Sequence, residues 1–499
     1  MSKEITSFYR DFREICSSTD GLFYRHYDEE FTYKDLWASM CKAAFALGST
    51  KISTGLASTK NSKVAIFSDK HFVAYSAIFA IILTGNTWVP LNPSTPQKRL
   101  LDMLVLAKPN FIFTDRELTG EMAKWVSESG AVVISLQDLN NKPVPMEIET
   151  ANIDPDDLAI IYFTSGSTGN PKGVKITHRN YIINVRNILR LVKFGESEVF
   201  GDYHDFGFSI SIPILFPCVM TKSAVSPAKR SIDQIVPANH MKKNGVSVLV
   251  TVPSTIAHIR KMERKVTGFS DLNVLISCGE PLHLDIVRFA LTQMIPHQMF
   301  NFYGSTEVAP WVFCHRCSLA DLSDFDEIGY EPIGFPIEGN LIRVSNEGEL
   351  LVGGPQVTPG YLGEVDSSRF FEEARVRWYR TGDLVELVKK LYICKGRLDS
   401  QVKLHGHRVE LTGVEAHLRK MDAVETAICF TKGKGIEKTV FAVLITNMKY
   451  TAFDVEEFLS SRLPRYMAPR GVACLAEAPL NKSGKIDRAE LKATFGGQE

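Results

Sequence analysis

The chain reads as an α/β protein, with a large N-terminal domain of parallel-rich sheets and helices that includes a β-rich subdomain. A small, mobile α+β C-terminal domain follows it. Three observations predict this. Over the first four hundred residues short apolar runs alternate with helical stretches, the pattern of strands joined by crossover helices. Around Pro332 to Gly360 the texture changes to short strands punctuated by Gly and Pro, which suggests a β-rich subdomain. After about Lys395 a compact segment follows with a strand and a helix of its own.

In order, Val64-Ala65-Ile66-Phe67 is too short for a helix and reads as a strand; residues 71–84 are helix-like, and Thr87-Trp88-Val89-Pro90-Leu91 is again a strand. Phe111 to Phe113, Ala131 to Ser135, Leu158 to Phe163, Val246 to Val252 and Val274 to Ser277 continue the series. In the β-rich region Gly348 to Gly354 encloses one short strand. The C-terminal segment has a strand at Thr439 to Thr446 and a helix at Val455 to Arg462. The major boundary is expected near Gly396–Ser400, dividing the chain into 1–396 and 397–499.

Among 499 residues, 57 Lys and Arg balance 57 Asp and Glu. That argues against a chain built to neutralise nucleic-acid phosphates, while leaving room for a local anion site. The start, Met1 to Cys16, lacks the basic-then-apolar order of a secretory signal. The most apolar stretch, Phe72 to Leu83, falls well short of the ~20 residues of a membrane helix. Nine scattered cysteines fit a reducing compartment better than a disulfide framework, so a cytoplasmic location without a membrane span is expected.

The strongest local signal runs from Ile160 to Gly173. An apolar run ends abruptly in Thr164-Ser165-Gly166-Ser167-Thr168-Gly169-Asn170-Pro171-Lys172-Gly173. Glycines let backbone N–H groups approach phosphate oxygens, hydroxyls add donors, and Lys172 adds a positive charge. The loop is not a Walker loop, because Pro171 stands where that motif requires Gly-Lys-Ser/Thr.

With this loop the sequence resembles the adenylate-forming superfamily, in particular stand-alone amino-acid adenylation enzymes such as the D-alanine:carrier-protein ligases and the adenylation domains of nonribosomal peptide synthesis. The resemblance runs from Phe31-Thr32-Tyr33-Lys34-Asp35-Leu36 to Asn481-Lys482-Ser483-Gly484-Lys485, and the blocks between arrive in the family's order. They include Gly85 to Pro93, Asn301-Phe302-Tyr303-Gly304-Ser305-Thr306-Glu307, Gly348 to Leu362, Tyr379-Arg380-Thr381-Gly382-Asp383-Leu384, Gly396 to Lys403 and Leu463 to Pro469. Ser305 departs from the proline usual in amino-acid enzymes.

The resemblance implies ATP-dependent conversion of a carboxylic acid to an acyl adenylate, then transfer of the acyl group to a thiol. Adenylation brings an anionic nucleophile onto an anionic phosphate, so the site must supply positive charge and positioning. Lys485 matches the family lysine bridging the substrate carboxylate and the α-phosphate. Thr306 matches a hydroxyl contact to that phosphate, and Glu307 a carboxylate holding Mg²⁺. Asp383 should accept the ribose hydroxyls and Arg397 add a second contact. Tyr303 should offer its face to adenine and Asn301 its amide to the adenine edge, with Gly279, Phe302, Gly304 and Ser305 completing the nucleotide pocket. Asp399 matches the hinge that withdraws Lys485 and presents Gly406 beside the thiol. His178 is expected to order the anion loop. Cys314-His315-Arg316-Cys317 resembles a metal pair, but no second Cys/His pair lies at zinc-finger spacing, so no metal is expected there.

Asp205, in Asp202-Tyr203-His204-Asp205-Phe206-Gly207-Phe208, falls where amino-acid enzymes carry the aspartate that binds the substrate amine. An unpaired carboxylate in an apolar pocket is costly, so a cationic substrate is its natural partner. In the other reading His204 acts as the aromatic gate of an acyl-CoA ligase for a small non-amino acid. The family's pocket positions fall on Phe206, Ser209, Thr251, Ile276, Cys278, Phe302, Pro310 and Trp311, whose aromatics imply a small side chain. The Lys485 motif lies close to the last residue, so the expected acceptor is a separate phosphopantetheine carrier protein. A non-catalytic scaffold is disfavoured by the intact Lys485, Asp383, Arg397 and Glu307.

Overall fold

The computed structural model describes residues 2–53, 60–141, 148, 152–165, 170–262, 269, 271–363, 368–398, 401–404, 406–433, 437–479 and 486–496. Val64-Ala65-Ile66-Phe67 does form a strand, Lys63–Phe67, at the heart of a seven-stranded sheet. Across that sheet the order is Gly360–Tyr361, Pro171–Thr177, Leu158–Ser165, Thr87–Leu91, Lys63–Phe67, Phe111–Thr114 and Val132–Ser135. The first two pairings are antiparallel and the rest parallel. A nine-stranded sheet follows the same plan. Its central strands Val199–Asp202, Ala224–Pro227, Val248–Thr251, Val274–Cys278 and Gln298–Gly304 are parallel, with antiparallel strands at its ends.

Period-two patterning explains why these strands are apolar throughout. Val248, Val250, Val274 and Ile276 face a core shared with Val64, Ile66 and Trp88 of the other sheet. Leu249 and Leu275 between them face a second core with Ile256, Val287 and Met294. Parallel strands covered on both faces lose the alternation of a half-exposed strand. The helix Phe72–Leu83 lies inside the first core with every residue but Val73 buried, which accounts for its unbroken apolar sequence. Among the described residues no helix is long and apolar enough to cross a membrane.

The β-rich region extends further than its glycines and prolines suggested. A five-stranded antiparallel sheet is built from Leu341–Val344, Glu349–Gly353, Phe370–Glu373, Val376–Val388 and Leu391–Arg397, whereas Gly360–Tyr361 and Phe335–Pro336 join the two large sheets. The polar run Arg380-Thr381-Gly382-Asp383 conceals a 13-residue strand, which continues through a bulge beside Leu384. Beyond it a hairpin, Gln401–Leu404 with His407–Glu410, leads into a three-stranded sheet of Thr426–Lys432, Thr439–Ile445 and Gly471–Leu475. Leu404, Val414, Leu418, Ala442, Val455 and Met467 form a core there. Its helix is Ala452–Ser460, starting before the expected Val455 because Thr451 caps it: the hydroxyl accepts from Asp454 N, and the Asp454 carboxylate accepts from Thr451 N.

Candidate active site

Parallel strands deliver their carboxyl ends to one side of a sheet, and crevices there are the usual ligand sites of open α/β folds. In this protein both large sheets open onto a single cavity of about 860 Å³. Ser68 to Lys70 follow Lys63–Phe67, Asn92 follows Thr87–Leu91, and Thr164 ends Leu158–Ser165. From the larger sheet come His204 and Asp205 after Val199–Asp202, Val252 after Val248–Thr251, Cys278 and Gly279 at the end of Val274–Cys278, and Gly304 to Thr306 after Gln298–Gly304.

Asp205, Ser209, Cys278, Pro310 and Trp311 line this cavity, as do Thr164, Gly279, Gly304, Ser305, Thr306, Asp383 and Arg397. Phe206, Thr251, Ile276 and Phe302, expected as pocket walls, stand in the layer behind. Phe302 stacks on Trp311 with centroids 4.5 Å apart, and Phe206 packs edge-on against Tyr75 at 5.0 Å. These side chains set the position of the lining residues without reaching the cavity surface. Gly166 to Gly169, Asp399 and Lys485 lie outside the described residues, as does the side chain of Ser165.

At the nucleotide end, register explains the pairing of Asp383 with Arg397: the two are cross-strand partners in adjacent antiparallel strands. One Asp383 oxygen accepts from Arg397 Nη1 and the other from Tyr303 Oη, while Arg397 Nη2 donates to Thr381 O at 3.0 Å. A carboxylate so fixed keeps lone pairs for two ribose hydroxyls. Asn301 is buried with its Nδ2 donating to Pro332 O at 2.8 Å, so that end of its amide is already committed. The Tyr303 ring carries the Lys403 ammonium 5.4 Å from its centroid. Thr306 Oγ1 lies 3.1 Å from Ser209 Oγ, tying the two ends of the cavity together. Glu307 is only 2% exposed and stands behind Thr306, its Oε1 accepting from Tyr361 Oη at 3.2 Å. Lys172 Nζ sits 5.4 Å from the centroid of the same tyrosine.

At the acyl end, Asp205 Oδ1 accepts from Gly207 N at 2.7 Å. Burial pushes this carboxyl up to about 6, against the pull of that bond, the Lys70 charge and the Asn92 side chain. His204 is held neutral, its imidazole pushed down to about 3 by burial and then by the Lys70 charge. Lys70, Asp202 and Asn92 were not singled out from the sequence. Lys70 Nζ donates to the main-chain and side-chain oxygens of Asp202, both at 2.9 Å, and Tyr75 Oη donates to Asp202 Oδ2 at 2.7 Å. A signal existed, since both Lys70 and Asn92 follow strand ends on the cavity side. Cys278 is buried, its thiol pushed up to about 12 by burial, so it acts as a neutral wall. His178 meets Tyr9 through Nδ1 and is pushed down to about 3 by burial.

The hairpin 401–410 reaches into this cavity. Glu280 Oε1 accepts from Gly406 N at 2.5 Å, and its Oε2 accepts from Ser254 N at 2.9 Å. His407 stacks on Tyr466 at 3.6 Å and meets the edge of Phe208 at 4.6 Å. Gly406, His407 and Tyr466 therefore close the acyl end of the cavity.

A crevice between two parallel-rich sheets, lined by carboxylates, hydroxyls and cationic side chains, is an arrangement suited to a nucleotide-dependent enzyme. Residues 16–362 match the AMP-binding enzyme family model; the chain belongs to that family and is an AMP-forming ligase. It is similar to the D-alanine–D-alanyl carrier protein ligase of Staphylococcus epidermidis, 28% identical over 97% of this chain and 98% of the relative. Its Staphylococcus aureus counterpart is 26% identical over 96% and 97%. The fold matches a Vibrio cholerae adenylation domain in complex with glycyl-adenosine-5′-phosphate, with a TM-score of 0.81, 20% identity and 98% of both chains covered. It also matches an o-succinylbenzoate CoA synthetase of Bacillus subtilis, with a TM-score of 0.81, 20% identity and 97% and 98% covered.

Proposed function

We propose that the chain activates a small amino acid with ATP and passes the aminoacyl group to the phosphopantetheine thiol of a separate carrier protein. The observation that carries this reading is Asp205, an acyl-end carboxylate raised by burial and without a cationic ion-pair partner among the described residues. A substrate ammonium would complete it. Cys278, Pro310 and Trp311 line the cavity and would bound the side chain, and the similarity to D-alanine–D-alanyl carrier protein ligases supports a small one.

ATP would supply the adenylyl group and the pyrophosphate leaving group. Asp383 and Arg397 would hold its ribose, Thr164, Thr306 and the loop 165–169 its phosphates, and Lys172 would add charge nearby. Glu307 offers the hard oxygen donor that Mg²⁺ takes, next in sequence to the cavity-lining Thr306. Lys485 would approach for adenylation and leave for transfer, with the segment from 397 onward pivoting at Asp399. The arrangement described here, with Gly406 bonded to Glu280, would be the one that serves transfer.

The test is pyrophosphate exchange across the common amino acids with D-alanine, glycine and β-alanine, set against the matching amine-free acids. Exchange driven by one small amino acid, followed by loading of a phosphopantetheinylated carrier, is the expected result. Exchange driven by an amine-free acid, with coenzyme A as acceptor, would replace this reading with a small-acid acyl-CoA ligase.

A further inference from the structure

Three clusters of His and carboxylate side chains, with ligand atoms within 4.8 Å of one another, occur among the described residues. In two of them a guanidinium already balances the charge. Arg230 pairs with Asp233 beside His26 and His240, and Arg116 pairs with Asp69 and Asp115 beside His71. The third is different. His315 is the last residue but one of the strand Trp311–Arg316, Asp321 opens the short helix Asp321–Asp324, and Glu331 lies on the segment that returns to that strand.

His315 Nε2 is 3.3 Å from Asp321 Oδ2 and 3.5 Å from Glu331 Oε1. The Glu331 side chain is 0% exposed, and neither of its oxygens has a hydrogen-bond partner. No Lys or Arg pairs with either carboxylate among the described residues. Asp321 Oδ2 accepts from Ser318 N at 2.6 Å and Ser318 Oγ at 2.9 Å, which holds it in place as an outer shell holds a ligand. Cys317, two positions from His315, is buried. Tetrahedral Zn²⁺ with bonds of about 2.0–2.2 Å separates its N and O ligands by about 3.3–3.6 Å, the spacing found here.

We propose that His315, Asp321 and Glu331 bind one Zn²⁺ outside the nucleotide cavity, with the fourth position open to a water. The ion ties the strand carrying the pocket residue Trp311 to the segment 317–331. Two buried carboxyls meet one imidazole with no Lys or Arg beside them among the described residues, and a divalent cation would supply the charge that lets both ionise. Sequence spacing missed the site because the partners of His315 are carboxylates, 6 and 16 positions further along the chain, rather than a second Cys/His pair.

The full chain, stripped with chelator and dialysed, is titrated with Zn²⁺ against a chromophoric chelator, and with Co²⁺ for its spectrum. Wild type should take up one equivalent tighter than about 1 μM, and bound Co²⁺ should give a visible d–d spectrum that His315→Gln alters. Glu331→Gln and His315→Gln should weaken Zn²⁺ at least about a hundredfold, beyond the loss seen for outer-shell changes. Glu331→Gln keeps the shape of a buried side chain whose oxygens have no hydrogen-bond partner, so its metal-free thermal transition should match or exceed wild type and exclude misfolding as the cause. Absence of Zn²⁺ uptake by wild type, or equal uptake by the two Gln variants, would overturn the site and leave a hydrogen-bonded cluster of one histidine and two carboxyl groups. Neither result bears on the amino-acid reading, which pyrophosphate exchange tests separately.

Discussion

Asp205→Asn keeps the shape of the acyl end and removes its charge. Burial raises the wild-type carboxyl from 3.8 to about 6 in the empty cavity. At about 1.4 kcal/mol per pKa unit, the ionised form is disfavoured there by up to about 3 kcal/mol, and the neighbouring ammonium of a bound amino acid would offset it. The asparagine variant should therefore lose about a hundredfold in kcat/KM for the true amino acid, and little for the amine-free acid of the same size. The pH dependence is sharper. Wild-type kcat/KM should rise with pH to a plateau above about 6, and at about pH 5, with some nine-tenths of the carboxyls protonated, should lie about tenfold below it. His204 and His178, both pushed down to about 3, stay neutral through this range and cannot produce that limb. Stability follows the opposite course. A raised folded-state carboxyl holds more protons than the unfolded chain, so the ligand-free protein loses this contribution as pH climbs from about 4 to about 6. Added amino acid should raise the thermal midpoint more above that window than below it. Initial-rate pyrophosphate exchange between about pH 5 and 8, run on both proteins, is the assay. An acid limb that persists in Asp205→Asn, or a variant with full activity on every amino acid, would refute the amine reading.

The remaining predictions separate the half-reactions. Gly406 has φ +80° and a Cβ there would lie 2.7 Å from Val252 Cγ1, so Gly406→Ala should slow carrier loading about tenfold or more while exchange stays near normal. Adding Val252→Ala should recover part of the loss, and loading unaffected by Gly406→Ala would show that this contact does not serve transfer. Lys485→Ala should nearly abolish exchange yet leave transfer from supplied aminoacyl-AMP largely intact; equal loss in both would end the alternation model. Asp399→Pro removes a backbone N–H and fixes φ, so adenylation should stay within a few-fold and loading fall by orders of magnitude. Cys278→Ala should admit a slightly larger side chain in exchange assays, because it removes one sulfur from the wall.

The sheets were legible because a buried parallel strand writes itself as a short unbroken apolar run, and Val64 to Phe67, Phe111 to Phe113 and Val274 to Ser277 all fell where strands form. What stayed hidden were elements whose apolar pattern is broken by function. The strand Val376–Val388 carries Arg380, Thr381, Gly382 and Asp383 through its middle because it must hold Asp383 opposite Arg397, and polarity there looks like a loop. Motif matching found these two residues without finding why they meet. Cross-strand register supplies the reason, and register depends on pairing partners that no single segment encodes.

The acyl end teaches a related point about which side chains a sequence can assign to a surface. Phe206, Thr251, Ile276 and Phe302 were expected as walls and are not among the lining residues: the last three lie on strands, which carry side chains alternately to opposite faces, and Phe206 packs on Tyr75. Residues just past a strand end escape that alternation, and Asn92, Asp205, Val252 and Gly279 are among those that line the cavity. Lys70 adds the electrostatic consequence. Its ammonium is engaged by Asp202 and therefore lies close enough to temper the rise of Asp205 without being available to neutralise it. A carboxylate left in that state is partly ionised near neutrality and short of a partner, which is the condition for a site that gains more from an ammonium than from any neutral group of the same size. Lys70→Met should therefore raise the midpoint of the acid limb above about 6 and weaken the selectivity for amines at neutral pH, since more of the carboxyl would be protonated. A midpoint that stays put would assign the tempering to Gly207 N and Asn92 instead.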